Sequence, residues 1–512
     1  MEKKKILIVN CHFDELRIPF CRKTKIPQTM TPSFLAGIFS ADLCDIKLHD
    51  EVYSGPLESE ALLSWPDMLV LTGLNTAFDR MLHLTAYVRT KNKNVIVVAG
   101  GPAIRALFSY SKNFFDYSCL GDIEQLKEVI EESYGKNYVS KNLLEQGWAI
   151  PRYDLSYWMG NPGYVEASRN CHCHCSFCSL TAEGVKYQPY NLNYLRQQLT
   201  ALGKRWVVIF LDNNFGGADK KILLERFDLI NEFHKKKHFS RWVAMVSSDF
   251  FLEERNIHLA SSSGCLSLFC GIESFDKQVL VNFKKYQNIL IPQVEIIRKC
   301  LNAGITFYYG LVFDIATRTI ADLKEELDFI IGNPQITLPT FISLAIPLLK
   351  TPFFYECLKK KIFLPNIKLR DLDGTTITLK PLDPMEKVVR FVYDIQNLSG
   401  YRQKVISHGI NFYRLYRKSL TFWNMSLALY TAMLLCTPKL STTGSAAFVS
   451  LHKNSKYHAR TYIGSTEPLD SVYIPAFPVD SKFRHYFKPT MLTDSNGDLS
   501  EYLNEDLMRN ES

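Results

Sequence analysis

The sequence has few of the features that mark secreted or disulfide-stabilised proteins. Its 13 cysteines in 512 residues are too few and too irregularly spaced for a disulfide framework. Most stand singly in the chain, several in apolar runs such as those around Cys265 and Cys270, where a buried thiol packs as a small hydrophobic group. The first residues, MEKKKILIVN, are basic and then apolar, but the apolar run is only as long as a strand and no small-residue cleavage site follows. We therefore expect a first β-strand, not a signal peptide, and a reducing, cytoplasmic environment.

A concentrated patch of positive charge is also missing. The net charge is +8, but the lysines are spread along the chain, and the only dense run is Lys235, Lys236 and Lys237 in a predicted helix. A nucleic-acid-binding protein would cluster its cations over a whole surface. We therefore expect a solvated helix face here and no nucleic-acid partner.

Long uncharged stretches are scarce, and one needs an interpretation. Residues 419–437 carry no charge, but Asn424 and several serines and threonines interrupt them. This composition favours a buried helix over a membrane span. A lid that lines an apolar substrate channel, or a helix that lies on a membrane surface, is the alternative.

What the sequence does contain is a regular alternation of strands and helices, which predicts an α/β fold. Residues 1–135 predict a doubly wound parallel sheet, and residues 136–162 a linker. The alternation resumes over residues 163–360 as six β/α units, which make a partial barrel and not the closed eight-stranded form. Residues 361–512 predict an α-rich extension that forms a substrate or lid region.

Polar residues stand where the predicted barrel strands end. In β/α barrels this rim carries the chemistry, so a site is expected there before any motif is considered. The residues are Ser168, Asp212, Ser248, Asp249, Glu273 and Asp314.

The most informative segment is RNCHCHCSFCSL, directly after the first barrel strand. It places Cys171, Cys175 and Cys178 at Cys-x3-Cys-x2-Cys spacing. Thiolates ligate iron–sulfur clusters, and a short loop can wrap three of them around one face of a [4Fe–4S] cubane. Three ligands for four irons leave one coordination site open for a substrate or cofactor.

Two other interpretations of this loop were considered. A structural zinc site would bring a second ligand pair from elsewhere, and no matching pair is evident; a redox dithiol needs only two cysteines. Cys173 lies inside the first spacer and is expected to be a bystander. His172 and His174 are expected to be spacers.

With these residues in view, the loop resembles the signature of the radical S-adenosylmethionine superfamily, Cys-x3-Cys-x-aromatic-Cys, with Phe177 as the aromatic residue near the adenine. The resemblance extends over the six-unit barrel and implies that the open iron binds S-adenosylmethionine. It also implies further cofactor contacts. These are Asp212 and Asn213 at the end of the second barrel strand, where LDNNF resembles the form found in cobalamin-dependent members, and Ser248 and Glu273 at later strand ends.

The N-terminal sheet resembles the cobalamin-binding domain of a large subgroup of that superfamily. A relaxed Ser-x-Leu motif is present in LTGLNT, and a Gly-Gly pair follows the fourth strand; the implied contacts are Thr72, Leu74, Asn75, Gly100 and Gly101. The Asp-x-His-x-x-Gly motif that supplies a histidine to cobalt is absent, because His12 lacks its aspartate and glycine partners. The resemblance thus implies cobalamin without a histidine ligand from this motif.

These resemblances imply an enzyme, most simply a C-methyltransferase that acts on an unactivated carbon. One alternative is an enzyme that uses the same cofactors for cyclisation, ring rearrangement or oxidation. An alternative that is not an enzyme is a cobalamin- or metal-binding regulator. The chemistry implies a flavodoxin- or ferredoxin-type electron donor. The substrate is expected to be a small molecule or a lipid, and contact with a membrane surface is open.

Overall fold

The computed structural model describes residues 2–12, 29–374, 376–396, 400–436 and 473–508. Its N-terminal unit is a five-stranded sheet in the order β2-β1-β3-β4-β5, parallel throughout. The strands are β1 (Lys4–Asn10), β2 (Cys44–Asp50), β3 (Met68–Thr72), β4 (Ile96–Gly100) and β5 (Tyr117–Ser118). The helices of this part are α1 (Thr31–Ile38), α2 (Glu51–Ser54), α3 (Glu60–Leu63), α4 (Phe78–Lys91), α5 (Pro102–Ala106), α6 (Phe108–Ser111), α7 (Leu126–Tyr134) and α8 (Lys141–Gln146).

The alternating side chains of β1 explain why the sheet is covered on both faces. Leu7 and Val9 belong to one hydrophobic core, whereas Ile6 and Ile8 belong to another. A strand that is apolar on both faces must be packed on both, which is the arrangement of a doubly wound sheet.

The second unit is the partial barrel. Five parallel strands follow in the order β12-β11-β10-β9-β6, and a parallel pair β13-β14 continues it through a bridge between Glu273 and Leu311. Since β12 and β13 are separated only by Tyr309, they count as one barrel strand, and the barrel has six. The strands are β6 (Pro162–Val165), β7 (Ser168–Arg169), β8 (Gln188–Pro189), β9 (Arg205–Phe210), β10 (Phe239–Val246), β11 (Cys265–Cys270), β12 (Thr306–Tyr308), β13 (Gly310–Phe313) and β14 (Phe341–Leu344), with β7 and β8 forming a small antiparallel pair.

Helices alternate with the barrel strands and then continue into the C-terminal extension. They are α9 (Ser179–Glu183), α10 (Leu192–Leu202), α11 (Lys220–Lys235), α12 (Glu254–Ser262), α13 (Lys277–Asn282), α14 (Gln293–Asn302), α15 (Ile320–Gly332), α16 (Pro352–Lys359), α17 (Met385–Gln396), α18 (Arg402–Tyr416), α19 (Phe422–Cys436) and α20 (Asn504–Leu507). The order of elements agrees with the α/β fold class predicted from the sequence.

The end of the chain returns to the N-terminal sheet. The buried carboxylate of Asp79, on α4, accepts hydrogen bonds from the Tyr473 hydroxyl at 3.0 Å and from the Thr490 backbone at 3.1 Å. Asp506 accepts from the backbone of Ser109 at 2.8 Å. The sequence pattern predicted nothing of this return, because the contacts join residues almost 400 positions apart.

Helix α19 occupies the end of the barrel opposite to the cysteine loop. The amide of Asn424 donates to the carbonyl of Leu266 at 2.7 Å, and Asn424 accepts at its carbonyl from Thr306, so the helix lies against the amino ends of β11 and β12. This position does not support the alternative of a lid over the site. The expectation of a buried helix holds for one face only, since Phe422 is 78% exposed. Among the described residues, no helix combines the length and apolar character needed to cross a membrane.

Candidate active site

A crevice separates the two units at the carboxyl ends of both sets of strands. Its volume is ≈ 240 Å³, which is slightly below the range of about 300–1,000 Å³ that is usual for ligand sites. The N-terminal unit contributes Thr72, Gly100, Gly101, Gly121 and Asp122, and the barrel contributes Glu166, Arg169, Asn170, Glu183 and Asn213. Parallel sheets bind ligands at this edge, and here two such edges face each other.

The paired glycines form the floor of the crevice. Gly101 has φ +100°, and a Cβ there would lie 3.0 Å from the Gly73 carbonyl, so only glycine adopts this turn without strain. A Cβ on Gly100 would meet only the Cys119 side chain, at 3.6 Å. Gly100 is thus replaceable as far as folding is concerned, and its lack of a side chain leaves open space on the wall of the crevice.

Of the other predicted cofactor contacts in the N-terminal unit, only one lies in the crevice. Thr72 lines the crevice, whereas Leu74 and Asn75 do not. The side chain of Leu74 is 67% exposed, and Asn75 is buried with an amide oxygen that has no hydrogen-bond partner within the described residues.

Two ion pairs join the units across the crevice, and each unit supplies the arginine of one pair and the carboxylate of the other. Arg105, on α5 directly after the glycines, donates to Glu183 at the end of α9 and to Asp122 at 2.7 Å. In the other direction Arg169, on β7 of the barrel, donates to Glu124 at 2.5 Å. Both arginines are mostly buried, so these pairs are screened less by solvent than surface pairs are. We call these two contacts the crossed ion pairs.

A carboxylate lies beside Arg169 in the crevice. Glu166 accepts a hydrogen bond from the Tyr190 hydroxyl at 3.2 Å and lies 3.6 Å from the Arg169 guanidinium. Burial raises the pKa of Glu166 to about 7, because desolvation penalises the charged form more than Arg169 favours it. This side chain can therefore hold or release a proton near neutral pH.

The cysteine loop runs from β7 to α9. Asn214 donates to the sulfur of Cys171 at 3.8 Å, and Gln287 donates to the sulfur of Cys175 at 3.3 Å. The side chain and backbone of Cys173 also donate to Cys171, and these bonds lower the pKa of the Cys171 thiol to about 6. Hydrogen bonds of this kind favour thiolates, which are the ligands of iron–sulfur clusters. Burial raises the pKa of the Cys178 thiol, which receives no such side-chain donor from the described residues. The three thiols of Cys171, Cys175 and Cys178 are nevertheless the type of ligand that such a cluster takes.

Cys171, Cys173, Cys175 and Cys178 are free thiols. Within the described ranges, no three His, Cys, Asp or Glu side chains are grouped so as to hold a single metal ion.

His172, expected to be a spacer, is fixed in a polar network. Its Nε2 lies 2.7 Å from the Asp249 carboxylate, and Asn214 approaches its Nδ1 at 3.2 Å. Asn214 also donates to the Ser247 hydroxyl at 2.7 Å. The network connects the cysteine loop to the ends of β9 and β10, so it orients the loop on the barrel rim.

A second set of contacts supports the other side of the loop. Lys285 lies 2.7 Å from the Glu273 carboxylate and 5.6 Å from the ring centre of Phe177, which packs against Phe283 at 5.0 Å. Glu273 has φ +63°, an uncommon conformation for a residue with a side chain. In this structure its carboxylate pairs with Lys285 and does not stand free on the rim.

Two residues predicted as cofactor contacts are buried structural groups. Asp212 is 0% exposed and accepts hydrogen bonds from the Ala167 backbone at 3.0 Å and from the Ser168 hydroxyl. Ser248 is 1% exposed and donates to Asn288 at 2.8 Å. Neither side chain reaches the crevice, because strand-end residues alternate in direction. The neighbours Asn213 and Ser247 are the accessible ones.

Several residues of the site were not predicted from the sequence. They are Arg105, Glu166, Arg169, Glu183, Asn214 as a sulfur hydrogen-bond donor, Lys285 and Gln287. Glu166 and Arg169 flank the predicted strand end at Ser168, so a wider window around each rim position would have included them. Arg105 and Gln287 carry no local signal.

Comparisons with solved structures agree with this architecture. The fold is similar to that of the cobalamin-dependent S-adenosylmethionine radical enzyme OxsB with aqua-cobalamin and S-adenosylmethionine bound, with TM-score 0.57, 16% identity and coverage of 90% of this chain and 76% of OxsB. It is also similar to the radical S-adenosylmethionine methyltransferase TsrM from Kitasatospora setae with cobalamin and a [4Fe-4S] cluster bound, with TM-score 0.55, 12% identity and coverage of 85% and 99%. The fold is therefore that of the cobalamin-dependent radical S-adenosylmethionine enzymes, which confirms the fold class and the resemblance predicted from the sequence.

Proteins that are similar to this chain in sequence include named methyltransferases. The chain is 26% identical over 312 residues to the hopanoid C-2 methylase of Rhodopseudomonas palustris (strain TIE-1), a match that covers 57% of each protein. It is 25% identical over 287 residues to the bacteriochlorophyllide d C-12(1)-methyltransferase of Chlorobaculum tepidum, covering 52% of this chain and 61% of that protein. The chain thus matches less than two-thirds of the length of these relatives. No protein-family model matches the chain.

Proposed function

We propose that the protein is a cobalamin-dependent radical S-adenosylmethionine methyltransferase that acts on an unactivated carbon. The observation that carries the proposal is the single crevice. The glycine pair of the N-terminal sheet and the residues at the two ends of the cysteine loop, Asn170 and Leu180, line the same space, and the three cysteines lie between those ends, outside the lining itself. Two cofactors that react with the same substrate molecule must both be within reach of it, and a shared space allows this.

The residues would divide the work as follows. Cys171, Cys175 and Cys178 would hold three irons of a [4Fe–4S] cluster, whose open iron supplies reductive cleavage of S-adenosylmethionine when loaded. The Gly100–Gly101 turn would bring its backbone close to cobalamin, which supplies the methyl group. Arg105 and Arg169, through the crossed ion pairs, would hold the two units together and exclude water from the crevice.

No histidine ligand to cobalt is proposed from the N-terminal motif. The Asp-x-His-x-x-Gly pattern is absent, and His12 donates its backbone N–H to Glu51 at 3.0 Å. The substrate is proposed to be a small, largely apolar molecule or a lipid, and the relatives that methylate hopanoids and bacteriochlorophyllides favour this class. An external electron donor of the flavodoxin or ferredoxin type would reduce the cluster.

Anaerobic reconstitution with iron and sulfide tests the proposal. We expect the full chain to bind about four irons and to form 5′-deoxyadenosine under strong reduction. Cys175→Ala should lose both properties. Cys173→Ala, on the same loop, removes one hydrogen bond to Cys171 but no proposed iron ligand, and it should keep the iron and most of the product. If the wild-type protein binds no cluster and cleaves no S-adenosylmethionine with candidate substrates present, it is a cobalamin- or metal-binding regulator and the proposal is wrong.

A second assay separates methylation from other radical chemistry. Incubation with S-adenosylmethionine that carries a labelled methyl group should transfer the label to a product in cell extract from a strain that lacks the gene. Formation of 5′-deoxyadenosine without label transfer would instead indicate cyclisation, rearrangement or oxidation.

A further inference from the structure

The helical hairpin made of α18 and α19 carries apolar side chains on two opposite faces. The inner face of α18 is buried, where His408 lies 3.0 Å from the Ile331 carbonyl and Tyr416 donates to the Gln335 carbonyl at 2.7 Å. A surface helix normally presents polar residues on the side away from the core. Here an exposed apolar stripe also runs along α18, beside the exposed polar residues Gln403, Ser407 and Arg414.

The outer apolar residues form one continuous surface across both helices. Ile406, Ile410 and Tyr413 follow one another at helical spacing and are each about half exposed, at 52%, 50% and 49%. A groove between the helices joins them to Leu429 and Ala432 of α19. Such a surface is rare on soluble proteins unless something covers it. We call it the hairpin surface.

Aromatic residues extend the hairpin surface toward the foot of the barrel. Phe422 and Trp423, at the start of α19, are 78% and 57% exposed, and their ring centres lie 5.7 Å apart. Trp423 also packs against the partly exposed Trp206 of β9 at 5.7 Å. Tryptophan and tyrosine are the side chains that favour the boundary between lipid and water.

The charges of the hairpin have one sign. Between Arg402 and Cys436 the sequence contains five Lys and Arg residues and no Asp or Glu. Three of the cations, Arg414, Arg417 and Lys418, stand exposed at the turn between the helices. Lys404, at the other end of α18, pairs with Asp328 of α15 at 2.6 Å. An apolar and aromatic face whose hairpin turn carries three exposed cations is complementary to anionic lipid headgroups over an acyl layer.

We propose that the hairpin surface docks the protein on an anionic membrane surface. A second copy of the chain is the less suitable occupant, because an isologous contact would bring two sets of cations together, and residues 402–436 supply no carboxylate to pair with them. The surface lies at the amino ends of the barrel strands, so docking leaves the crevice at the opposite end free to bind its ligands. The proposal does not depend on the reaction catalysed.

Vesicle flotation of the full chain tests the docking. We expect binding to vesicles of phosphatidylcholine and phosphatidylglycerol in equal parts, little binding to phosphatidylcholine alone, and weakening by salt. The variant I406Q/I410Q/Y413Q should reduce partitioning roughly tenfold or more, and R414Q/R417Q/K418Q should do so mainly at low salt.

The matched control is V281Q/L382Q, which replaces two exposed apolar residues on other elements. It should bind vesicles as the wild type does. Circular dichroism of each variant establishes that it is folded, which is expected because all the substituted side chains are exposed. Equal binding of the I406Q/I410Q/Y413Q variant and the wild type would overturn the proposal. So would a vesicle-independent dimer, seen by analytical ultracentrifugation, that the same variant dissolves.

Discussion

Arg105 and Glu183 join the two units of the protein next to both predicted cofactor sites. Arg105 lies on the helix that begins directly after the Gly100–Gly101 turn, and Glu183 ends the helix that begins directly after Cys178. A single ion pair therefore connects the glycine turn of one unit to the cysteine loop of the other. Its geometry sets how far apart the two sites lie.

A charge reversal at Arg105 or Glu183 should uncouple cleavage of S-adenosylmethionine from methyl transfer. R105E and E183R each place like charges together, so we expect weaker cobalamin binding, roughly tenfold, and less methylated product for each 5′-deoxyadenosine formed. The double variant R105E/E183R restores an ion pair and should recover part of both. Cobalamin titration and product ratios measure the effect.

The pair between Arg152 and Asp154 provides the control, because it lies outside the crevice. R152E should leave the product ratio unchanged. If the double variant is no better than the singles, the Arg105–Glu183 pair does not position the units.

Replacement of Gly101 should lower folding stability, whereas replacement of Gly100 should weaken cobalamin binding. G101A introduces a Cβ at positive φ and 3.0 Å from a carbonyl, so we expect a loss of about 1–2 kcal/mol in the free energy of unfolding. G100A has room for its methyl group and should fold normally, but the added group occupies the crevice wall and should weaken cobalamin binding. Urea unfolding and cobalamin titration of both variants check this. Normal cobalamin affinity in G100A would mean that the ligand does not approach this backbone.

The stability of the cobalamin-free protein should depend on pH through Glu166. Its pKa of about 7 in the folded chain lies above its ordinary value of 4.5, so the folded state holds the proton more tightly. The contribution to stability is complete below pH 4.5 and is lost as the pH rises through 7. Relative to the wild type, E166Q should therefore be more stable at pH 8 than at pH 5, by on the order of 1–3 kcal/mol.

Urea unfolding at the two pH values measures this difference. Glu145, on α8, is exposed, and E145Q serves as the control. An E166Q effect that is the same at both pH values would show that Glu166 does not titrate in this range.

The neighbours Asp212 and Asn213 should behave in opposite ways. D212N keeps one acceptor oxygen and replaces the other with an NH2 donor, so it cannot accept from both the Ala167 backbone and the Ser168 hydroxyl, and we expect the free energy of unfolding to fall by about 1–3 kcal/mol. N213A changes an exposed side chain on the crevice and should leave stability unchanged while it weakens ligand binding. Denaturation and S-adenosylmethionine titration distinguish the two. A stable D212N with weakened binding would restore Asp212 as a direct ligand contact.

The sequence was sufficient for those parts of the site that depend on local spacing. Cys171, Cys175 and Cys178 lie within eight residues, and the glycine turn lies at the end of a strand whose apolar run is plain. It was insufficient for Arg105 and Glu183, which are 78 positions apart and carry no pattern that links them. It also did not tell Asp212 from Asn213, because side chains alternate in direction along a strand and the sequence does not show which direction faces the crevice.

For the hairpin of α18 and α19 as well, the sequence predicts the helix but not its position. The uncharged composition of residues 419–437 predicts a helix, but not the face it buries or the end of the barrel it covers. Asn424 contributes to both, because its buried side-chain NH2 group donates to Leu266 and Thr306 at the strand ends.

The sequence by itself determined the order of strands and helices, the α/β class and the cysteine spacing, because each follows from short-range periodicity and chain geometry. Only the tertiary structure decided which rim side chains face the crevice, how the crossed ion pairs join the units, and where the apolar outer surface of the hairpin lies. These depend on contacts between distant segments, whose free energy is gained only when the whole chain is packed.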